Sequence, residues 1–386
     1  MLRLSRRLAV AAMAALAVFG IGAAEAQQRQ PIRIGAVLAV TGGAAFLGDP
    51  AAKTLRLYVE RINREGGILG RPLELRLYDS AGDARQAVTF TRRLIEDDRV
   101  DFIIGASTTG ETMAMIELVE EARIPLISLA GANVIVEPVK RWVFKTPHSD
   151  RMAVEKIYED MRRNNWTRAA IIAGSGGFDQ SCRAEARNMA ARFNITIVAD
   201  ETYAPTDTDM TPQLTRIRNA NPQGIVGCGF GAPTVITARN FRQLGMTGVQ
   251  FYFNHGVASQ QFIDQSQGAA EGMRMPVAAL LVAEQLPAND PQKAVTMEYT
   301  QVYRQAYNEN VSGFGGHAWD ALMIALQAIQ RAGGTDRARV RDEIEKTTNF
   351  IGVDGIFNMT PTDHMGLDQR SFKMVEVRNN TWRLLY

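Results

Sequence analysis

Two cysteines and four histidines are all that 386 residues supply of the usual metal-binding and nucleophilic side chains. With only Cys182 and Cys228, neither a disulfide-stapled scaffold nor a cysteine-rich metal site is open to this chain. His148, His255, His317 and His364 show no H-x-x-x-H or related spacing, so no metal is expected. The G-x-S-x-G turn of a hydrolase nucleophile is missing too. No cofactor motif stands out, and the chain does not read as an enzyme. Charge of one sign is also lacking, with 43 Lys and Arg against 41 Asp and Glu. A nucleic-acid partner demands a basic surface, and nothing here provides one.

Long apolar runs are confined to the start. "MLRLSRR" is basic, and "LAVAAMAALAVFGIGAA" is an apolar run of 17 residues, short for a membrane span. "AEA" follows, with small Ala24 and Ala26 around Glu25. This is the layout of a cleaved secretory signal over residues 1–26, with a retained anchor as the alternative. Cleavage removes Arg3, Arg6, Arg7 and Glu25, which leaves basic and acidic residues equal in number. The mature protein is then expected to be exported. In an oxidising compartment the two cysteines could pair, but spacing in sequence does not decide it.

What is present is a repeated rhythm. Strand-like "IRIGAVLAV" precedes a helical segment with Leu55, Val59 and Ile62 on one face, stopped by Gly66 and Gly67. Strand "LELRLYD", helix 83–98, strand "DFIIG", helix "ETMAMIELVEEA" and strand "IPLISL" follow. Near 141–147 the pattern resets and repeats, with helices at 150–165, 179–193, 210–220 and 233–244 between strands. Residues 290–346 are mostly helical, and short strands close the chain. Alternation of this kind predicts two doubly wound α/β domains built on parallel sheets. No low-complexity linker separates them, which favours several chain crossings and a hinge.

In such sheets, ligands bind beyond the carboxyl ends of the strands. "ASTTGET" follows strand "DFIIG", and Thr108 and Glu111 have capping-box spacing. The bland reading is a helix cap. The sharper one is a carboxylate seat, because a helix start offers unpaired N–H groups and Ser107, Thr108 and Thr109 add hydroxyls. "LAGAN" after the fourth strand has small residues that admit close approach of backbone to a ligand. "GCGFGAP" loosely satisfies a dinucleotide fingerprint through Gly227, Gly229 and Ala232. The next strand, however, ends "FYFNHG", with no acid to hold a ribose.

"INREGGILGRPLELRLYDSAGDARQAV" (62–88) resembles the signature of the periplasmic branched-chain amino acid-binding proteins, the Leu/Ile/Val receptors of ABC importers. "ETYAPTDTDMTPQLTRIRNANP" (201–222), "ARNFRQLGM" (238–246) and "GHAWDAL" (316–322) are similar to that family in order and spacing. The resemblance spans roughly 32–350. It implies the type I periplasmic binding protein fold, with two α/β domains, three crossings and the ligand in the cleft between them. It places domain 1 at 27–146 plus 277–350, and domain 2 at 147–276 plus 351–386.

The resemblance also implies site residues. Thr109, four places after Gly105, fits the family's carboxylate-binding hydroxyl. Ala130, Gly131 and Ala132 stand in the loop that supplies backbone and a second hydroxyl; Ala132 lacks that hydroxyl. Phe46 with Leu47, Phe178 and Phe230 stand at or beside the cleft's aromatic positions, with core packing as the alternative. His255 stands where amino acid-binding members carry an acid that neutralises the ligand's ammonium. A histidine cannot do that; it suits a carboxylate, hydroxyl or carbonyl, unless it simply turns away from the cleft.

These departures lead to the expected function: a monomeric solute receptor that delivers a small apolar carboxylate, aromatic or branched aliphatic, to ABC permease subunits. The alternative is a branched-chain or other amino acid or amide receptor, with an acid such as Asp179 as substitute partner. A sensor subunit or a hydrolase on the same fold is a further class.

Overall fold

The computed structural model describes residues 30–386; the expected leader, residues 1–26, lies outside them. Two sheets organise the chain. The first holds β1 (Ile32–Leu38), β2 (Leu73–Asp79), β3 (Phe102–Gly105), β4 (Leu126–Ser128) and β5 (Val143–Lys145) in the order β2-β1-β3-β4-β5, all parallel. Helices α1 (Ala45–Arg64), α2 (Ala84–Glu96) and α3 (Thr109–Ala122) connect the first four strands. The segment at 141–147, where the sequence pattern resets, supplies β5, one edge of the sheet.

The second unit runs α4 (Asp150–Arg163), β6 (Arg168–Ala173), α5 (Gly177–Ala190), β7 (Thr196–Thr202), α6 (Thr211–Asn219), β8 (Gly224–Cys228), α7 (Ala232–Gln243), β9 (Gln250–Phe253), α8 (Gln260–Ser266) and β10 (Arg274–Ala278). Helices α9 (Lys293–Tyr307), α10 (Gly313–Ala332) and α11 (Arg337–Glu345) then return to the first sheet, where α10 packs along α1. A small pair, β11 (Phe350–Ile351) and β12 (Ile356–Phe357), precedes β13 (Phe372–Arg378) and β14 (Thr381–Leu384), which rejoin the second sheet. The chain therefore passes between the sheets three times. This is the doubly wound, three-crossing architecture that the sequence implies.

Local chemistry explains the boundaries. Apolar β-branched runs form the buried strands, and helix starts carry side-chain caps: Asp83 for α2, Thr108 for α3 and Ser149 for α4. Helix α1 starts at Ala45 and holds Pro50 in its second turn. Its stop is sterically fixed: a Cβ on Gly67, at φ +76°, would lie 2.0 Å from the Arg71 carbonyl oxygen. Leu55 and Val59 are buried and Ile62 packs at the edge of the first core.

The structure also settles points that the sequence left open. Strand β10 is a member of the second sheet, and β13 and β14 add to that sheet antiparallel. Cys182 on α5 and Cys228 at the end of β8 form a disulfide, with Cα atoms 5.7 Å apart. Among the described residues no helix is long and apolar enough to cross a membrane.

Strand order reverses direction between β1 and β3 in one sheet and between β6 and β8 in the other. Those are the switch points where a crevice opens at the strands' carboxyl ends. The two crevices face each other across the hinge.

Candidate functional site

A cavity of about 30 Å³ lies where these crevices meet. From the first unit come Leu47, Ser107, Thr108, Thr109, Leu129, Ala130 and Gly131; from the second, Phe178, Phe230, His255 and Gly256. Pro147 at the first crossing and Phe314 and His317 at the start of α10 complete the wall. The structure thus brings together nine of the expected residues. Phe46 and Ala132 are elsewhere. Ala132 is buried at the start of a short turn over 133–135. Phe46 backs the wall, its ring 6.2 Å from Phe230 and 5.6 Å from Phe314. Phe314 and His317 were not anticipated as wall residues, although His317 lies inside the quoted "GHAWDAL".

The three hydroxyls at the start of α3 do different work. Thr108 is consumed by its own helix: Oγ1 donates to Glu111 Oε2 at 2.7 Å and accepts from the Glu111 N–H at 3.3 Å. Glu111 is held in turn by Ser80. Ser107 Oγ accepts from the Ala39 N–H at 3.1 Å. Thr109 Oγ1 is buried without a hydrogen-bond partner. It sits on the first turn, where helix N–H groups lack carbonyl partners of their own.

A second helix start meets it. A Cβ on Gly177 would lie 3.6 Å from Thr109 Cγ2 and 3.9 Å from the Gly110 nitrogen. The positive ends of α3 and α5 therefore converge on one space. No Asp or Glu lines the cavity. Each helix start is already capped by an acid of its own, Glu111 or Asp179, so the Thr109 hydroxyl and the first-turn N–H groups are what favour an anion in the cavity.

Asp179 does not line the cavity, and its Oδ1 is buried without a hydrogen-bond partner. Its Oδ2 accepts from the Gly176 N–H at 3.2 Å, and a Cβ on Gly174 would touch that oxygen. The side chain is turned back onto its own helix start. Burial pushes its carboxyl up to about 6, with the Gly176 hydrogen bond opposing weakly.

His255 follows β9 in a short turn, where Asn254 Oδ1 accepts from the Gly256 N–H at 3.2 Å. Its ring stands edge-on to Phe178, centroids 5.3 Å apart. Neither ring nitrogen has a well-aligned hydrogen-bond partner. Burial, followed by His148, Lys145 and His317, holds its pKa well below the usual histidine range, while the His148 carbonyl pulls weakly the other way. The ring is neutral, with one donor and one acceptor to offer.

His317 is neutral for the same reason, lowered by burial and Lys145 to about 3. Its Nδ1 lies 2.6 Å from Asp354 Oδ2. Burial beside Asp320 raises the Asp354–Asp320 pair well above the usual carboxyl range. That contact holds the imidazole in place at the start of α10.

The loop at 130–131 is anchored from the crossing. Gly131 O accepts from Lys145 Nζ at 2.8 Å and from the Asp150 N–H at 3.2 Å. Asp150 Oδ1 accepts from the Asn133 N–H at 3.0 Å. Lys145 is fully buried, and that burial lowers its ammonium to about 7 against the pull of Asp150. Among the described residues no cluster of His, Cys, Asp or Glu could hold a metal ion.

Comparison with known proteins places this geometry in context. Residues 31–381 match the family model described as periplasmic binding protein. The chain is 24% identical over 377 residues to the leucine-, isoleucine-, valine-, threonine- and alanine-binding protein of Pseudomonas aeruginosa, covering 95% of this chain and 92% of that one. A Leu/Ile/Val-binding protein homolog from Brucella melitensis is 23% identical, over 79% of this chain and 80% of its own. Among solved structures, an extracellular ligand-binding receptor from Rhodopseudomonas palustris superposes with a TM-score of 0.86 at 28% identity, over 92% of this chain and all of that one. A branched-chain amino acid transporter substrate-binding protein from Streptococcus pneumoniae, in complex with isoleucine, shares the fold with a TM-score of 0.80 at 22% identity, over 92% and 98% of the two chains.

Proposed function

The chain belongs to the periplasmic binding protein family, and on that premise we propose that it is the solute receptor of an ABC importer for a small apolar carboxylate. The two units close on the ligand, and the closed form, a monomer in the periplasm, is what the permease subunits recognise. Closure follows from binding because only the closed arrangement touches the ligand from both sides. The observation that carries the reading is Thr109: a buried hydroxyl without a partner, at a helix start that abuts a second helix start. Phe178, Phe230 and Leu47 supply apolar wall for the rest of the ligand.

Two readings of the ligand share that carboxylate. The relatives' names favour a branched-chain amino acid. The cavity wall supports an aromatic or branched aliphatic acid without an ammonium, because it holds no carboxylate and places His255 on the wall. Burying an unpaired ammonium beside a neutral imidazole is costly.

Calorimetric titration with leucine, valine, phenylalanine, isovalerate and phenylacetate separates the two. Micromolar binding of the deaminated acids with no response to leucine supports the acid reading. Tight leucine binding with silence from the acids establishes the amino acid reading instead. Silence from all five removes the apolar carboxylate itself.

A further inference from the structure

A second space adjoins the buried cavity and is much larger, about 180 Å³ against about 30 Å³. It opens at the mouth of the cleft. Gly42, Gly43 and Phe46 bound it on one side, and the starts of α7 and α8 on the other. One aromatic contact joins their walls. Phe46 lines the mouth, Phe230 lines the cavity, and their rings stand 6.2 Å apart at 48°. Each ring belongs to a different unit, so the contact loosens when the units part.

The mouth differs chemically from the cavity. Its wall holds no ionisable side chain. Its polar groups are hydroxyls and amides: Thr234, Ser259, Gln261 and Gln265. The two hydroxyls are engaged, Thr234 Oγ1 donating to Gly231 O at 2.7 Å and Ser259 Oγ accepting from the Phe262 N–H at 3.2 Å. Gln261 and Gln265 are exposed and one turn apart, so their amides project from the same face of α8. Opposite them the backbone is bare: a Cβ on Gly231 would lie 3.9 Å from Gly43 O, its nearest neighbour.

We propose that the ligand site continues past the Phe46–Phe230 contact into this mouth pocket, and that the protein takes acids longer than the buried cavity, ending in an uncharged hydrogen-bonding group such as an amide. This rests on the carboxylate receptor reading above. The acid end lies at Thr109, the apolar middle displaces the Phe46 ring from Phe230, and the far end meets the amides of Gln261 and Gln265. A charged far end finds no counter-charge there and is selected against.

The test uses phenylacetate as the short probe, 4-acetamidophenylacetate as the long one and leucine as control, titrated into the full mature chain. The long acid should bind about tenfold tighter than phenylacetate, the effect of one or two amide hydrogen bonds. Gln261→Ala/Gln265→Ala should abolish that advantage and leave phenylacetate unchanged. Phe46→Trp, a larger plug, should weaken only the long acid. Equal affinity for both acids, a double variant that weakens both alike, or leucine binding without the long acid overturns the extension and leaves the receptor reading standing. Failure of all three probes removes the carboxylate reading and the extension with it.

Discussion

The imidazole of His255 stands directly against the backbone of Gly131: a methyl group on Gly131 would lie 2.6 Å from Nε2 and 2.8 Å from Phe178 Cε2. These residues come from opposite units, so the contact exists only when the units are together. Gly131→Ala should therefore oppose closure more than folding. Overpacking of this kind costs about 1–3 kcal/mol, and the units can relieve it by staying apart. The expected outcome is a loss of ligand affinity of about tenfold or more with little change in melting temperature. Combining it with His255→Ala should restore part of the loss. A melting temperature that falls as steeply as the affinity would place the strain inside one unit instead.

Thr108 and Thr109 are adjacent and of one type, yet the structure gives them separable roles. Thr108→Ala removes the cap of α3 and should lower unfolding free energy by about 1 kcal/mol in urea titration. Thr109→Val deletes a buried hydroxyl that has no partner in the protein. Apo stability should hold or rise slightly, while carboxylate binding should weaken about tenfold. Equal effects of both substitutions on binding would deny Thr109 its special position.

The sequence carried most of the alternation from β1 to β9, because most of these strands are short apolar runs and several helices have a capping side chain or a glycine stop. Strand β10 was hidden for a physical reason. Pro276 lies inside it, and a proline ordinarily argues against an interior strand. The strand pairs with β9 at a single register position, Arg274 with Tyr252, and leans on antiparallel β13 for the rest. At the site, Thr109, Gly131 and His255 were legible because they follow strand ends. Phe314 and His317 were not, since they come from a helix start in a distant segment whose return to the first unit no local pattern encodes. Asp179 illustrates the opposite limit. Its place beside Phe178 made it a candidate ammonium partner; in the structure one carboxylate oxygen accepts from the Gly176 N–H and the other has no hydrogen-bond partner.

The disulfide ties together two segments that present aromatic wall. Cys182 is one turn after Phe178 on α5, and Cys228 is two residues before Phe230. Cys182→Ala/Cys228→Ala should cost about 4 kcal/mol of stability for a bridge spanning 46 residues. It should also relax the Phe178–Phe230 pair, now 6.2 Å apart. Denaturation under oxidising and reducing conditions, beside titration well below the melting temperature, checks both. Unchanged stability in the double variant would mean that the bridge is incidental to the fold.

Asp179 makes a prediction about pH whose sign is fixed by its burial. Its carboxyl is raised from 3.8 to about 6 in the folded chain, so the native state holds a proton that the unfolded chain has already lost. Stability should decline as pH rises from about 4 to about 6 and then level off, because ionising a buried carboxyl opposes folding. The decline is at most about 3 kcal/mol from this group. Asp179→Asn removes the cost of ionisation and keeps an oxygen for the Gly176 N–H, so the difference between variant and parent should grow in the variant's favour across that window. Urea titrations at pH 4, 5, 6 and 7 measure it. Since the side chain turns back onto the start of α5, the substitution should leave ligand binding intact. Abolished binding would instead make Asp179 the partner of a ligand ammonium, and would decide for an amino acid.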